Sequence, residues 1–287
     1  MSEIIDGKSV AKHVRLEIKN RAIRFYELHG RKPGLSVILV GSDPASCIYV
    51  NNKQKACEKA EMNGRTIRLE EQTSTQELLQ LIDQLNGDST VDGILVQLPL
   101  PEHIDETAVL NRISPEKDVD GFHPLNAGKL FEKRALLEPC TPSGCMELLR
   151  RSGVTISGAN AAVVGRSNLV GKPISMMLLR ENATVTICHS RTKDLTSHLR
   201  QADIVVAAAG KPGLITGEML KPGCVVLDVG INRMKDGTIT GDVDFASASK
   251  VASMITPVPG GVGPMTIAML LNNTMLAAEA KYDRNEP

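Results

Sequence analysis

The residues whose types and spacing could do chemistry fall in a few short stretches. Tyr49 and Lys53 stand four apart in Asp43-Pro44-Ala45-Ser46-Cys47-Ile48-Tyr49-Val50-Asn51-Asn52-Lys53, so on a helix they share a face. A phenol beside an amine can hold the amine, pass it a proton and favour its neutral form. A lysine serves as a base only where burial or neighbours lower its pKa. On spacing alone the pair reads as ordinary surface neighbours, and it is two other segments that turn the reading towards chemistry. Gln97, in Val96-Gln97-Leu98-Pro99-Leu100-Pro101, is an amide at the carboxyl end of an apolar strand, where open α/β sheets bind ligands. Asp118-Val119-Asp120-Gly121-Phe122-His123-Pro124 is an acidic turn, one carboxylate of which suits a ring with adjacent N–H donors. Taken singly, Gln97 is a strand-end amide and Asp120 a turn former. Residues 256–266 hold three prolines and three glycines, a loop both constrained and able to approach a flat ligand closely.

A second group of residues points to a nucleotide. The apolar run Ala161-Ala162-Val163-Val164 leads into Gly165-Arg166-Ser167-Asn168-Leu169-Val170-Gly171-Lys172-Pro173. A strand, a glycine turn and a helix start can bring backbone N–H groups and a helix N-terminus to a pyrophosphate. The spacing departs from GxGxxG: Ser167 occupies the second glycine position and Gly171 comes one residue late. The bland alternative is an ordinary strand–loop–helix turn. The next strand, 184–188, ends in His189-Ser190-Arg191-Thr192 with no acid. NAD sites usually place Asp or Glu there for the ribose 2′-hydroxyl. A hydroxyl and a guanidinium suit a 2′-phosphate instead, and Arg166 could add a second cation. The residues favour NADP over NAD.

The elements that must position these residues alternate along the chain. Helical periodicity covers 8–29, 44–62, 75–85, 172–180 and 266–281, with further helices at 141–151 and 195–200. Short apolar runs at 35–40, 93–98, 161–164, 184–188, 204–208 and 225–229 read as strands, with 65–69 a further candidate. Strands alternating with helices imply parallel sheets covered on both faces. Two such series, with a changeover between about 120 and 140, imply two α/β lobes; the closing helix fits either. The 287 residues include 42% apolar and 23% charged residues, as expected of a globular chain with a substantial core. Lysine plus arginine and aspartate plus glutamate each number 33, which gives no sign of a nucleic-acid partner or an anionic membrane surface. With no Trp, 3 Tyr and 4 Phe, the core is aliphatic and base stacking on aromatic platforms is disfavoured. The six cysteines contain no CxxC pair and read as buried reduced thiols, with no metal site. Neither a secretory signal nor a membrane span is visible, so the expected location is cytoplasmic.

Eight motifs in order, YVNNK, DGILVQLPLP, KDVDGFHP, PCTPSG, VVGRSNLVGKP, AAGKPG, DVGINR and PVPGGVGPMT, resemble the bifunctional methylenetetrahydrofolate dehydrogenase/methenyltetrahydrofolate cyclohydrolase family. The resemblance runs from Ile5-Asp6-Gly7 to the last helix. It implies an N-terminal α/β folate-binding catalytic domain (1–121, with the returning helix 266–287), a Rossmann-like NADP-binding domain (140–265), and a cleft between them. It implies that Lys53 is catalytic with Tyr49 beside it, that Gln97 positions Lys53, and that Asp120 anchors the pterin. Leu98 and the loop Pro259-Gly260-Gly261-Val262-Gly263 would join them in the folate site. Gly165, Arg166, Ser167, Ser190, Arg191 and Ile231 would meet NADP. The partners implied are tetrahydrofolate one-carbon derivatives and a second copy of the chain in a homodimer; the formyltetrahydrofolate synthetase activity of some relatives is not expected. The expected chemistry is oxidation of 5,10-methylenetetrahydrofolate to the methenyl form by NADP, then hydrolysis to 10-formyltetrahydrofolate. Rival readings are another two-lobed NADP oxidoreductase, such as a shikimate dehydrogenase-like enzyme, and a nucleotide-binding protein without turnover.

Overall fold

A computed structural model gives the fold of residues 2–283. The chain forms two compact units. One holds the described residues through Lys12 with Thr141–Met269; the other holds His13–Cys140 and the described residues from Leu270 onward. Each unit carries its own parallel sheet, and the fold is the expected two-domain α/β type with one Rossmann-like unit.

In the unit built on His13–Cys140, the strand Gly34–Val40 is buried along its length. It pairs in parallel with Asn63–Leu69 on one side and Gly93–Val96 on the other. A strand covered on both faces has no polar side, which explains its continuous apolar run. Helix Thr75–Gly87 buries Leu78, Ile82 and Leu85 against Ile38, Val40, Ile94 and Val96. Its start is fixed by a capping box: Ser74 Oγ accepts from Glu77 N at 3.2 Å, and Glu77 Oε2 accepts from Ser74 N at 2.8 Å.

Helix Pro44–Lys59 starts where Asp43 Oδ2 accepts from Ser46 N at 2.7 Å, with Pro44 in the first turn. It ends short of the expected residue 62. Glu61 adopts a φ of 58°, and Met62 N donates to Cys57 O at 3.0 Å, the paired ending that turns a helix off through a left-handed residue. The buried stripe of this helix is Ser46, Val50, Lys53 and Cys57, an i, i+4, i+7, i+11 pattern. A lysine therefore occupies a core-facing position, which burial makes costly unless the ammonium is paired.

The other unit has a six-stranded sheet in the order Glu3–Ile4, Met254–Ile255, Val225–Asp228, Ile204–Ala207, Asn160–Val164, Thr184–Cys188, parallel throughout. Chain order reverses beside Asn160–Val164: the chain goes first to Thr184–Cys188 on one side and then to Ile204–Ala207 on the other. Ligands of open α/β sheets bind at the carboxyl ends of the strands flanking such a switch point. The sheet core is aliphatic, with Ala162, Val164, Val205, Val226 and Ile255 among its buried residues.

Several elements escaped the sequence reading. The strands Glu3–Ile4 and Met254–Ile255 are two residues each, too short for a periodic signal. Their mutual pairing gathers the first residues into the six-stranded sheet, although the sequence division assigned 1–121 to the other lobe. Helices Glu106–Arg112 and Pro124–Phe131 are short, as is the hairpin of Asn232–Arg233 with Ile239–Thr240.

Candidate active site

The lysine of the buried stripe has its partner. Lys53, 9% exposed, donates from Nζ to Gln97 Oε1 at 2.9 Å. Gln97 follows directly on the strand Gly93–Val96, and its N donates to Ile38 O at 2.9 Å. Its side-chain Nε2 donates to Leu98 O at 2.7 Å. That second bond sets the amide orientation, so the oxygen is the end that meets Lys53. The strand end thus supplies the acceptor that makes a core-facing lysine tolerable. Tyr49 lies one turn before Lys53 and is 45% exposed.

Asp120 lies near enough to Lys53 for the ammonium to act on it. Desolvation holds the Asp120 carboxyl above its ordinary range; Lys53 opposes this and Asp118 adds to it. Its turn is built from behind by the side chains around it. Asp118, buried, accepts from His123 N at 2.8 Å, Phe122 N at 3.2 Å and Asn126 Nδ2 at 2.9 Å. Asn273 on helix Gly263–Asp283 donates to Val119 O and Glu138 O, each at 2.8 Å. The Cys140 thiol donates to Val119 O at 3.2 Å, and burial, with Asp120 nearby, pushes its pKa well above the thiol range. Gly121 adopts a φ of 74°, and a Cβ there would lie 2.5 Å from Pro139 N, so only glycine fits this turn. Lys53, Gln97 and Asp120 are therefore brought together, as an amine, the amide that holds it and a half-buried carboxyl.

In the other unit, Gly165 ends the strand Asn160–Val164 with a φ of 140°. A Cβ on it would sit 2.1 Å from Ala208 O, at the end of the neighbouring switch-point strand. A Cβ on Gly171 would lie 2.3 Å from Gly165 O. These two glycines keep a backbone-lined cradle open, the arrangement a pyrophosphate requires. Ser167 replaces the missing second glycine with a hydroxyl that accepts from Val170 N at 3.1 Å and Gly171 N at 3.3 Å. Arg166, Ser167, Ser190 and Arg191 are exposed at the carboxyl ends of Asn160–Val164 and Thr184–Cys188. Ile231 is 54% exposed after Val225–Asp228. The open cradle and the acid-free end of the second strand fit NADP.

The loop Pro259–Gly263 belongs by its contacts to this same unit. Lys8 N donates to Gly260 O at 3.1 Å, and a Cβ on Gly7 would lie 1.7 Å from Gly261 O. Gly7 thus allows the first turn of helix Gly7–His29 to press against the loop, a close approach the sequence reading did not anticipate. All six cysteines are free. Among the described residues there is no cluster of His, Cys, Asp and Glu able to hold a metal ion, and no helix long and apolar enough to cross a membrane.

A Rossmann-like sheet with an open glycine cradle at its switch point is the framework of a nicotinamide-nucleotide enzyme, here in a chain that also carries a buried lysine–amide pair. The chain belongs to the tetrahydrofolate dehydrogenase/cyclohydrolase family: residues 5–120 match the family's catalytic domain and residues 139–282 its NAD(P)-binding domain. It is 58% identical over 277 residues to the bifunctional protein FolD of Moorella thermoacetica, covering 96% of this chain and 99% of that protein. Among solved structures, the bifunctional FolD dehydrogenase/cyclohydrolase of Campylobacter jejuni superimposes with a TM-score of 0.95 at 47% identity, over 98% of this chain and 100% of that one. The Trypanosoma brucei FolD structure, complexed with NADP and an inhibitor, gives a TM-score of 0.93 at 41% identity over 98% of each chain.

Proposed function

We propose that this chain oxidises 5,10-methylenetetrahydrofolate to 5,10-methenyltetrahydrofolate with NADP and then hydrolyses the product to 10-formyltetrahydrofolate. The observation that carries the reading is the buried lysine held by a strand-end amide, Lys53 Nζ to Gln97 Oε1 at 2.9 Å, in a chain of this family.

Bound NADP supplies the hydride acceptor at its nicotinamide ring. The chain's part in that step is to hold the ligands in near-attack geometry. Gly165, Arg166, Ser167, Ser190, Arg191 and Ile231 are the residues assigned to the cofactor, with Ser190 and Arg191 set to pair with a 2′-phosphate. In the hydrolytic step, water adds to the methenyl carbon and loses a proton. The bond from that carbon to one of its two nitrogens then breaks; that nitrogen is left protonated and the formyl group stays on N10. Lys53 handles these proton transfers, its Nζ placed by Gln97 and flanked along the helix by Tyr49. Asp120 accepts hydrogen bonds from the pterin, and Leu98 lines its site.

The test is a spectrophotometric assay with methylenetetrahydrofolate and NADP, repeated with NAD. Methenyl product forming with NADP, more slowly with NAD, and then decaying to the formyl compound is the expected result. A folded protein that forms no methenyl product with NADP overturns the reading. The setting we infer, from the family resemblance, is a cytoplasmic homodimer; a single-protomer mass by light scattering would overturn the dimer.

A further inference from the structure

We propose that Asp242 is a positioning residue for the cofactor: its buried carboxylate pre-forms the two loops, 209–211 and 231–232, against which NADP binds. The proposal rests on the reading that this unit takes NADP.

Asp242 is fully buried, and both of its oxygens are filled by donors from the two loops. Oδ2 accepts from Ala209 N at 2.6 Å and Gly210 N at 2.9 Å. Oδ1 accepts from Lys211 N at 2.8 Å and Asn232 Nδ2 at 2.9 Å. Three successive backbone N–H groups wrapped round one anion form a nest, here occupied by the protein's own carboxylate. The residue just before the nest is Ala208. Its carbonyl faces Gly165, and its N donates to Val164 O at 2.8 Å. One acid thus fixes the loop that forms one wall of the glycine cradle and, through Asn232, the segment that presents Ile231.

Asp242 is itself held from behind. Asp228 Oδ1 accepts from Asp242 N, and Oδ2 from Val243 N, each at 3.0 Å. The packing leaves no room for side chains: a Cβ on Gly230 would lie 2.4 Å from Asp242 Oδ1, and one on Gly241 would lie 1.8 Å from Asp228 Oδ2. These contacts explain the glycine of the DVGINR motif, which the nucleotide reading alone did not use. A surface ordered before the ligand arrives loses less freedom on binding, so the network favours cofactor affinity without touching the cofactor.

Asp242→Asn separates this role from a general structural one. Since both oxygens receive N–H donors, an amide in either orientation turns an NH2 group towards them. The expected result is a rise of about tenfold or more in the KM for NADP, with kcat at saturating NADP within about threefold. At low NADP the dehydrogenase should lose at least tenfold more than the hydrolysis of methenyltetrahydrofolate, which uses no nicotinamide. Equal losses in the two activities, or a KM for NADP within twofold of the unsubstituted protein, overturns the proposal. Should Asp242→Asn fail to fold, Asn232→Ala removes one of the four bonds and carries the same test, with a KM for NADP raised about threefold or more; an unchanged KM overturns it. Calorimetric titration with NADP gives a second readout independent of turnover. A protein that binds NADP without oxidising folate sinks the proposed function, whereas an Asp242→Asn variant that binds NADP as tightly as the unsubstituted protein sinks only this inference.

Discussion

Replacing Gln97 by leucine tests the core of the proposed hydrolytic site. The substitution keeps most of the side-chain bulk and removes both polar atoms. Lys53, 9% exposed, then loses its 2.9 Å acceptor. A hydrogen bond to a charged group is worth about 1.5–3 kcal/mol, and each 1.36 kcal/mol is tenfold in rate. If the bond holds Nζ where the proton transfers occur, kcat for hydrolysis of methenyltetrahydrofolate should fall roughly 10–100-fold. Hydride transfer has no proton for Lys53 to move, so the dehydrogenase should fall much less. The decay of methenyl absorbance, followed with substrate supplied directly, measures the first quantity; NADPH formation measures the second. Circular dichroism and the melting temperature establish that the variant is folded. A folded Gln97→Leu protein that hydrolyses within about twofold of the unsubstituted rate would refute the positioning role of the amide.

Lys53→Met should nearly abolish hydrolysis, so that methenyl product accumulates during oxidation; near-normal hydrolysis in that folded variant rules the lysine out. Arg191→Ala should raise the KM for NADP about tenfold, the loss expected for one charge-assisted bond, and leave that for NAD unaltered. Equal changes for the two cofactors would place Arg191 away from the 2′-phosphate. Asp228 gives a pH dependence. Burial raises its pKa from 3.8 to about 6, so between those values the folded protein holds a proton that the unfolded chain has released. The stability linked to that proton is complete below about pH 4 and is lost as pH rises through about 6, a change of roughly 3 kcal/mol. The unfolding free energy of the unsubstituted protein minus that of Asp228→Asn should fall by about that much from pH 4 to 7; a flat or rising difference contradicts the assignment.

The parts of the fold legible in the sequence are those whose signal is local. Gly34–Val40, Asn160–Val164, Ile204–Ala207 and Val225–Asp228 are buried strands, and burial on both faces writes itself as an apolar run. Helix Thr75–Gly87 carries both its periodicity and its capping box in adjacent residues. The strands Glu3–Ile4 and Met254–Ile255 were not legible because their only cause is each other and the sheet edge they join, about 250 residues apart in the chain. The site divides in the same way. Lys53 and Gln97 stood out through their motifs, and the structure pairs them. Cys140 and Asn273, which brace the Asp120 turn, and Asp242, which fills the nest, act through backbone groups of distant segments. No spacing rule connects Asn273 to Val119, 154 positions earlier.

That last contact also bears on the order in which the protein is made. The amide of Asn273 bridges two carbonyls laid down more than a hundred residues before it. All three strands of the Gly34–Val40 sheet, with Lys53 and Gln97, are therefore synthesised well before the residue that locks the Asp120 turn. Until the final helix has been synthesised, that turn lacks its clamp. A polypeptide halted before residue 273 would carry Lys53, Gln97 and Asp120 without the amide that holds the last of them in its turn.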